Sequence, residues 1–368
     1  MNVLFITNIP SPYRVDFFNE LGKHCDLTVC FERKTSAERN IKWKGKNAST
    51  FKEVFPKLTP VGIDKSKGNG IVTFIKNNRF DAIIISGYSS PAVMSAIFYC
   101  KQHHIDYFLE YDGAFYKKDK FYLRWLKKIL LKKAKVHFTT CDEHKRYLCS
   151  LGIPENRIII YPFSSVFKSD IEKNFNVSEE EKITAKKKIG AIQANKTILS
   201  IGQFIYRKGF DVLLKSFKDV PPDYELFIVG GLPTSEYLKI VESLNLKNVH
   251  FVDFKTKEEL VDYFRAAELF VLPTREDIWG LVVNEAMSFG LPVITTNKCI
   301  AGLELINGKN GIIVETNCPN ALSDAITKIF SKSGGIDKEE IFKIISNYTI
   351  ERMAEKHLEV LNGFYGKE

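Results

Sequence analysis

Strand-length apolar runs alternate with amphipathic stretches along almost the whole chain. Val3 to Thr7 is such a run, ended by the loop 8–14. A helix follows over 15–22 with Phe17, Phe18 and Leu21 as its buried face, then a strand over 27–31. After a polar, lysine-rich stretch at 34–53, read as a long loop at a cleft mouth or membrane, the rhythm resumes. It predicts a helix at 71–77, a strand at 81–86, a helix at 91–103 and a strand at 107–110 closed by the turn Asp112-Gly113. A strand at 136–140, a helix at 142–151 and a strand at 158–161 complete this half, and 162–175 reads as an irregular hinge. Ser178 and Glu181 have the spacing of a capping box, opening a helix that Gly190 ends. The second half repeats the pattern, with strands at 197–202, 224–229, 249–252, 269–272, 292–296 and 311–314. Helices lie at 236–244, 257–267, 281–289, 321–330 and 351–364. Strand–helix alternation of this kind predicts an α/β chain of doubly wound parallel sheets. The expected division is a Rossmann-like domain at 1–165, a hinge and connecting helix at 166–195, a second Rossmann-like domain at 196–345 and a terminal helix at 346–368.

Composition changes this picture little. The chain has 368 residues, 45% of them hydrophobic and 26% charged, which fits two folded domains and excludes a disordered protein. No apolar run approaches the length needed to cross a bilayer, and the first residues read as a strand rather than a signal peptide. Seven cysteines without a Cys-x-x-Cys pair suit reduced thiols in the cytosol, and no histidine spacing suggests a metal site. The net charge of +9 favours an anionic partner: phosphate ligands, an acidic membrane surface or nucleic acid. No nucleic-acid-binding motif accompanies the charge, so nucleic acid is not expected.

One segment concentrates basic charge. Over 117–135, Phe121, Trp125, Leu126, Ile129 and Leu130 repeat at helical spacing, while Lys117, Lys118, Lys120, Arg124, Lys127, Lys128, Lys132 and Lys133 crowd the remainder. A basic face beside Phe and Trp attracts an anionic membrane, and the apolar stripe equally suits the core side of a domain helix. The expectation is that this helix does both.

Candidate chemistry gathers in 273–296, which reads as strand end, loop, helix, turn and strand. On a helical wheel Leu281, Val282, Glu285, Ala286 and Phe289 share an arc, with Asn284 and Ser288 marking the wet side. Glu285 therefore lies on the apolar face, where a carboxylate is costly unless donors meet it. Two readings stay open: a glutamate that snorkels to water, or one that accepts two adjacent hydroxyls of a ligand whose phosphates lie at the helix N-terminus. Upstream, Gly202-Gln203 and Arg207-Lys208-Gly209 lie between a strand and a helix, where fixed cations suit a phosphate, although Arg207-Lys208 taken alone suits a solvated turn. The first strand is not followed by Gly-x-Gly-x-x-Gly, so the dinucleotide fingerprint is absent. Arg14 opens the first helix, either solvated or meeting a phosphate or an acceptor. Glu110 and Asp112 end a strand where ligands of such sheets bind, and Asp112 equally suits a turn.

Residues 273–296 resemble the signature of family 4 glycosyltransferases, retaining enzymes of GT-B architecture, in which two acids precede a Gly-x-Pro-Val turn. That resemblance implies two Rossmann-like domains facing a cleft, the C-terminal helix crossing back to the first. It also implies a nucleotide-sugar donor, such as a UDP- or GDP-sugar, with no further cofactor and no metal. Glu285 then holds ribose and Asp277, where Glu is usual, holds the transferred sugar, with Glu276 beside it. Lys208 matches the lysine on the donor diphosphate, together with Arg207; Gln203 replaces a common arginine. Trp279, Gly280, Leu281 and Val282 lie at the helix N-terminus facing the diphosphate, and Gly230, Phe254 and Lys255 lie near the nucleoside. On the acceptor side stand Tyr13, Arg14, Glu110 and Asp112, the last also a catalytic candidate where relatives often place a histidine. The implied activity is sugar transfer to a glycan or lipid-linked saccharide in bacterial surface polysaccharide synthesis, capsule or O-antigen, in the cytoplasm or peripheral on its membrane. Sugar epimerases and phosphorylases share the architecture, and a nucleotide-sugar binder without activity is a further alternative.

Overall fold

Strands buried on both faces read as near-continuous apolar runs because helices cover both sides of a parallel sheet. In this computed structural model, which describes residues 1–36, 47–116, 119–191, 194, 196–331 and 335–365, two such sheets occur. The chain divides into two units: Met1–Ser164 with Thr349–Glu368, and Ser165–Tyr348. Residues of the expected hinge thus belong to the second unit.

The first unit holds strands β1 (Asn2–Thr7), β2 (Asp26–Phe31), β3 (Phe51–Val54), β4 (Ala82–Ser86), β5 (Phe108–Glu110), β6 (His137–Thr139) and β7 (Ile158–Ile160). They run parallel in the order β3-β2-β1-β4-β5-β6-β7, with Val3 paired to Leu27 on one side and Ala82 on the other. Helices α1 (Pro12–Leu21), α2 (Gly70–Asn77), α3 (Pro91–Gln102), α4 (Phe121–Leu131) and α5 (Asp142–Ser150) flank the sheet. The C-terminal helix, Ile350–Tyr365, packs against α1 within this unit. Two expectations change here. Part of the stretch read as loop at 34–53 is the edge strand β3, while 37–46, like Lys117 and Lys118, lie outside the described residues. The stripe of α4 also splits: Leu130 and Leu131 are buried, but Phe121 is 86% and Trp125 60% exposed, so the aromatic end of the stripe is not core.

The second unit begins with α6 (Lys168–Phe175) and α7 (Glu179–Ile189), so the stretch read as irregular contains a helix. Its polar sequence lacks the apolar periodicity that would announce one. The expected box at α7 forms: Ser178 Oγ accepts from Glu181 N at 3.2 Å, Glu181 Oε2 accepts from Ser178 N at 2.9 Å, and Gly190 closes the helix in the left-handed region. Strands β8 (Lys196–Ile201), β9 (Tyr224–Val229), β10 (Val249–Val252), β11 (Leu269–Leu272), β12 (Val293–Thr296) and β13 (Gly311–Val314) form a parallel sheet in the order β10-β9-β8-β11-β12-β13. Around it lie α8 (Phe210–Ser216), α9 (Ser235–Ser243), α10 (Lys257–Ala266), α11 (Leu281–Ser288), α12 (Ile300–Leu305), α13 (Pro319–Phe330) and α14 (Lys338–Ile345). Strand order reverses between β8 and β11, which places the loops following both at the switch point where ligands of such sheets bind.

The first unit also buries Glu32 at the end of β2, where Ser90 Oγ donates to its Oε2. Burial raises its pKa from 4.5 to about 7, with Ser90 opposing. The folded chain therefore holds this proton through a range where the unfolded chain has released it, and stability falls as pH rises from about 4.5 to 7. Glu32→Gln should stabilise the chain at pH 8 by up to about 3 kcal/mol and by little at pH 4, as read by urea unfolding at both.

Candidate functional site

Two loops at the switch point of the second unit are stitched together by their own backbones. After β8 the chain turns through Tyr206–Lys208, and Gly209, at φ 70°, starts α8. A side chain at 209 would place its Cβ 2.1 Å from Pro273 O, so the two loops touch there. Arg275 N donates to Arg207 O at 2.8 Å, Thr274 Oγ1 to Arg207 O at 2.9 Å, and Arg207 Nη1 to Glu276 O at 2.7 Å.

Arg275, which the sequence reading passed over, locks this pair. Its Nη1 and Nη2 donate to the two carboxylate oxygens of Asp211 at 2.8 and 2.7 Å, its Nη1 also to Tyr206 O at 2.6 Å, and its Nε to Asn317 Oδ1 at 2.6 Å. The guanidinium lies 3.9 Å from the centroid of the Tyr206 ring. A planar fork that meets a carboxylate with both prongs and stacks on an aromatic fixes direction as well as distance.

So fixed, the loops bring two of the predicted residues together. Lys208 Nζ donates to Asp277 Oδ2 at 2.6 Å, both side chains being mostly buried, and the more exposed Arg207 stands 3.6 Å from the same oxygen. The stem of Lys208 runs across Gly202, where an added Cβ would sit 3.3 Å from its Cδ and Cε. Asp277 is itself held by its backbone, N donating to Lys298 O at 2.8 Å. Gln203 and Glu276 are half-buried in the same two loops. Gly230, ending β9, has φ 149° and admits no side chain, since a Cβ there would lie 2.0 Å from Gly202 O. Phe254 and Lys255, half-buried, follow the neighbouring strand β10, with Lys255 3.7 Å from Glu259.

Gly280 caps α11 in the left-handed region, and the first N–H groups of the helix, at Leu281 and Val282, follow the Asp277 loop directly. The wheel reading of this helix is corrected. Asn284 and Ser288, taken as its wet side, are buried, whereas Leu281, Val282, Glu285 and Phe289 keep partial exposure. Strands β11 and β12 and helices α6, α12 and α14 cover most of the helix. Trp279 makes the buried amide inexpensive by donating from Nε1 to Asn284 Oδ1 at 2.8 Å. Trp279 is therefore a core side chain, not a ligand contact through its ring. Glu285 accepts from Ser165 Oγ at 2.9 Å. Burial raises its pKa, while Lys257 and the Ser165 hydroxyl oppose and Asp170 reinforces the rise.

In the first unit Arg14 is neither solvated nor presented to a ligand. It is buried, with Nη1 donating to Glu110 Oε1 at 2.8 Å and Nη2 to Asp112 Oδ1. Tyr13 Oη donates to Asp112 Oδ2 at 3.2 Å. Glu110 is wholly buried and its Oε1 also lies 3.4 Å from His357 Nε2, whose Nδ1 is 2.8 Å from Met353 O. Burial pushes the Glu110 carboxyl up, but Arg14 and His357 outweigh it and hold it near 2; burial, opposed by Arg14 and reinforced by Glu110, raises Asp112. Direct ligand contact was expected of Arg14 and Glu110; instead they form the buried support of Asp112, whose side chain is 33% exposed. The reason is charge: a lone buried guanidinium is untenable, so it gathers carboxylates from the adjacent strand end.

Arg275→Ala leaves Asp211 without its partner and should destabilise the chain by about 3 kcal/mol, with Arg275→Lys costing about half as much because it keeps charge but loses the fork. Urea unfolding reads both, and amide exchange at 206–209 should quicken in each.

Comparison with known proteins shows what this segment is similar to. The family described as Glycosyl transferases group 1 matches residues 181–347. An uncharacterised glycosyltransferase of Methanocaldococcus jannaschii is 31% identical over 150 residues, 40% of each chain. The capsular polysaccharide biosynthesis glycosyltransferase CapM of Staphylococcus aureus is 28% identical over 193 residues, 51% of this chain and 50% of that one. The matched stretches thus span half or less of these relatives' length. Anabaena HepE, crystallised in complex with UDP, shares the fold with a TM-score of 0.78 over 99% of this chain and 100% of that one, at 14% identity. Residues 181–347 are thus similar to the group 1 glycosyl transferases, within a chain whose two Rossmann-like units have the GT-B fold.

Proposed function

We propose that this chain is a retaining glycosyltransferase of family 4 type, moving a sugar from a nucleoside-diphosphate donor to a hydroxyl of a glycan or lipid-linked saccharide. The Lys208–Asp277 pair at the head of α11, inside the matched segment, carries the reading. In the reaction the anomeric C–O bond to the diphosphate breaks, a new C–O bond forms to the acceptor oxygen, and the hydroxyl proton passes to the departing diphosphate. Lys208, aided by Arg207 and the N–H groups of Leu281 and Val282, meets the charge that grows on the departing diphosphate. Asp277 turns to the sugar and Glu285 to the ribose. The likeness to HepE solved with UDP supports a nucleotide donor, UDP- or GDP-linked. The likeness to CapM supports a part in capsular polysaccharide assembly; O-antigen synthesis and a cytoplasmic setting belong to the same proposal. Asp112, held by Arg14 and Tyr13, is assigned to the acceptor.

The acceptor's membrane is read from α4. Phe121, Tyr122 and Trp125 are exposed on it beside Lys120, Lys128, Lys132 and Lys133, an apolar tip with a cationic flank that suits anionic lipid. Lys127 is not part of that flank, since it is bound to Asp119 and Tyr147 at 2.7 Å. Among the described residues no helix is long and apolar enough to cross a membrane.

Thermal shift across UDP, GDP and their sugars tests the donor, since a ligand at about 100 times its Kd adds about 2.7 kcal/mol. No shift with any of them, at intact fold, would sink the proposal. Lys208→Ala should lower turnover by about a hundredfold to a thousandfold. Asp277→Asn separates the two roles: with no carboxylate on Lys208 the nucleoside diphosphate should bind more tightly while turnover falls. Glu285 is an acid whose folded pKa is raised, so stability is lost as pH rises from the ordinary carboxylate range up to that raised value. Glu285→Gln should accordingly raise Tm at pH 8 while losing donor affinity. Vesicles containing phosphatidylglycerol should sediment the chain and lose it when Phe121 and Trp125 become Ser and Lys128, Lys132 and Lys133 become Glu.

A further inference from the structure

At the opposite end of the second unit, by the amino ends of β8, β11 and β12, lies a hollow of ≈170 Å³. Three cations line it: Lys182 from α7, Arg265 from α10 and Lys338 from the start of α14. Phe264 and Phe289 form an apolar wall, their rings stacked 4.9 Å apart at 14°. The one carboxylate in the lining, Glu268, is already engaged, with Oε1 2.6 Å from Lys186 Nζ and Oε2 accepting from Thr197 N at 2.7 Å.

The cations themselves are poorly answered. Lys182 meets Glu179 at 2.5 Å, but that carboxylate is 81% exposed. Arg265 Nη1 stands 4.0 Å from Glu181, whose other oxygen serves the α7 cap, and among the described residues Arg265 Nε is buried with no acceptor. Among the described residues Lys338 makes no ion pair; its ammonium lies 5.6 Å from the centroid of Phe342. Its stem is pressed on the turn after α11, where a Cβ at Gly290 would come within 2.7 Å of its Cε. Burial and the neighbouring Lys182 both lower the Lys338 pKa, with Glu179 opposing. Like charges have thus been gathered around a hollow whose own acceptor is spent, and a buried guanidinium donor points to no partner.

We infer that this hollow is a second anion-binding site, taking the phosphate of a small phosphomonoester with its carbon skeleton against the Phe264–Phe289 wall. Phosphate oxygens supply charge-assisted acceptors to the Lys338 ammonium and to the Nη groups of Arg265. The site is separate from the Lys208 loops, which follow the carboxyl ends of the same strands, so it stands independently of the proposed transfer activity.

Calorimetric titration of the full chain with glucose 6-phosphate, inorganic phosphate and, as control, glucose at matched ionic strength tests it. Saturable binding of the phosphomonoester, about tenfold weaker in Lys338→Met and in Arg265→Met but unchanged in Lys208→Ala, is the expected result. Lys338→Met keeps the alkyl stem over Gly290 and Phe342, and an unchanged urea midpoint separates lost binding from lost folding. Equal affinity for inorganic phosphate would assign the site to the free ion, and weaker affinity to the ester. No saturable heat up to ~10 mM ester overturns the inference; so does binding that Lys208→Ala abolishes and Lys338→Met leaves intact.

Discussion

The planar fork of Arg275 on Asp211 is the contact on which the second unit's chemistry rests. Lys208 is a flexible side chain on a short turn, and Asp277 sits on an irregular loop after a different strand. Neither would hold a defined place alone, since ordering a lysine costs up to about 2 kcal/mol of rotamer freedom. Arg275 belongs to the Asp277 loop, yet spends its donors on Asp211 at the start of α8 and on Tyr206 O in the Lys208 turn. The two loops therefore move as one body. With their separation fixed, a 2.6 Å ion pair between Lys208 and Asp277 follows, and the N-terminus of α11 comes next along the same loop.

The first unit solves a related problem in the opposite way. Arg14 is buried rather than perched at a rim, and two carboxylates share its charge. One of them, Glu110, is enclosed and answers also to His357 of the C-terminal helix; the other, Asp112, retains access to solvent. A chain of contacts thus runs from the last helix to an acid at a strand's carboxyl end. Interiors resist deformation, so such a chain holds the outer carboxylate more firmly than a solvated partner would.

How much of this was legible in the sequence divides along the nature of the signal. Strand–helix alternation marked both sheets, because parallel strands between helical layers must be apolar throughout, and local chemistry such as the Ser178–Glu181 box was readable from spacing. Helix α6 was missed because it is held by neighbours in the second unit rather than by an apolar face of its own. The wheel of α11 misled because residue polarity was read as exposure, whereas Trp279 satisfies Asn284 inside the core. Phe121 and Trp125 show the limit of spacing conversely: helical periodicity fitted both a core stripe and a membrane-facing one, and only the fold shows that their end of the stripe is exposed. Arg275 gave no local signal at all: its partners Asp211 and Asn317 are remote in sequence and meet it only through the fold.

Lys208 and Asp277 were each expected to touch a ligand, yet in this structure they touch each other. The contact follows from an electrostatic requirement. A mostly buried ammonium needs an anion at hand, and Asp277 supplies it. On the proposed transfer, a donor phosphate gains less than the full Coulomb attraction of Lys208, because it competes with a partner already at 2.6 Å. The same competition would free the Asp277 carboxylate as an acceptor for sugar hydroxyls. The shorter Asp at 277 matters in this setting: with its backbone tied to Lys298 and its reach limited by one methylene fewer than Glu, it depends on Lys208 for its position.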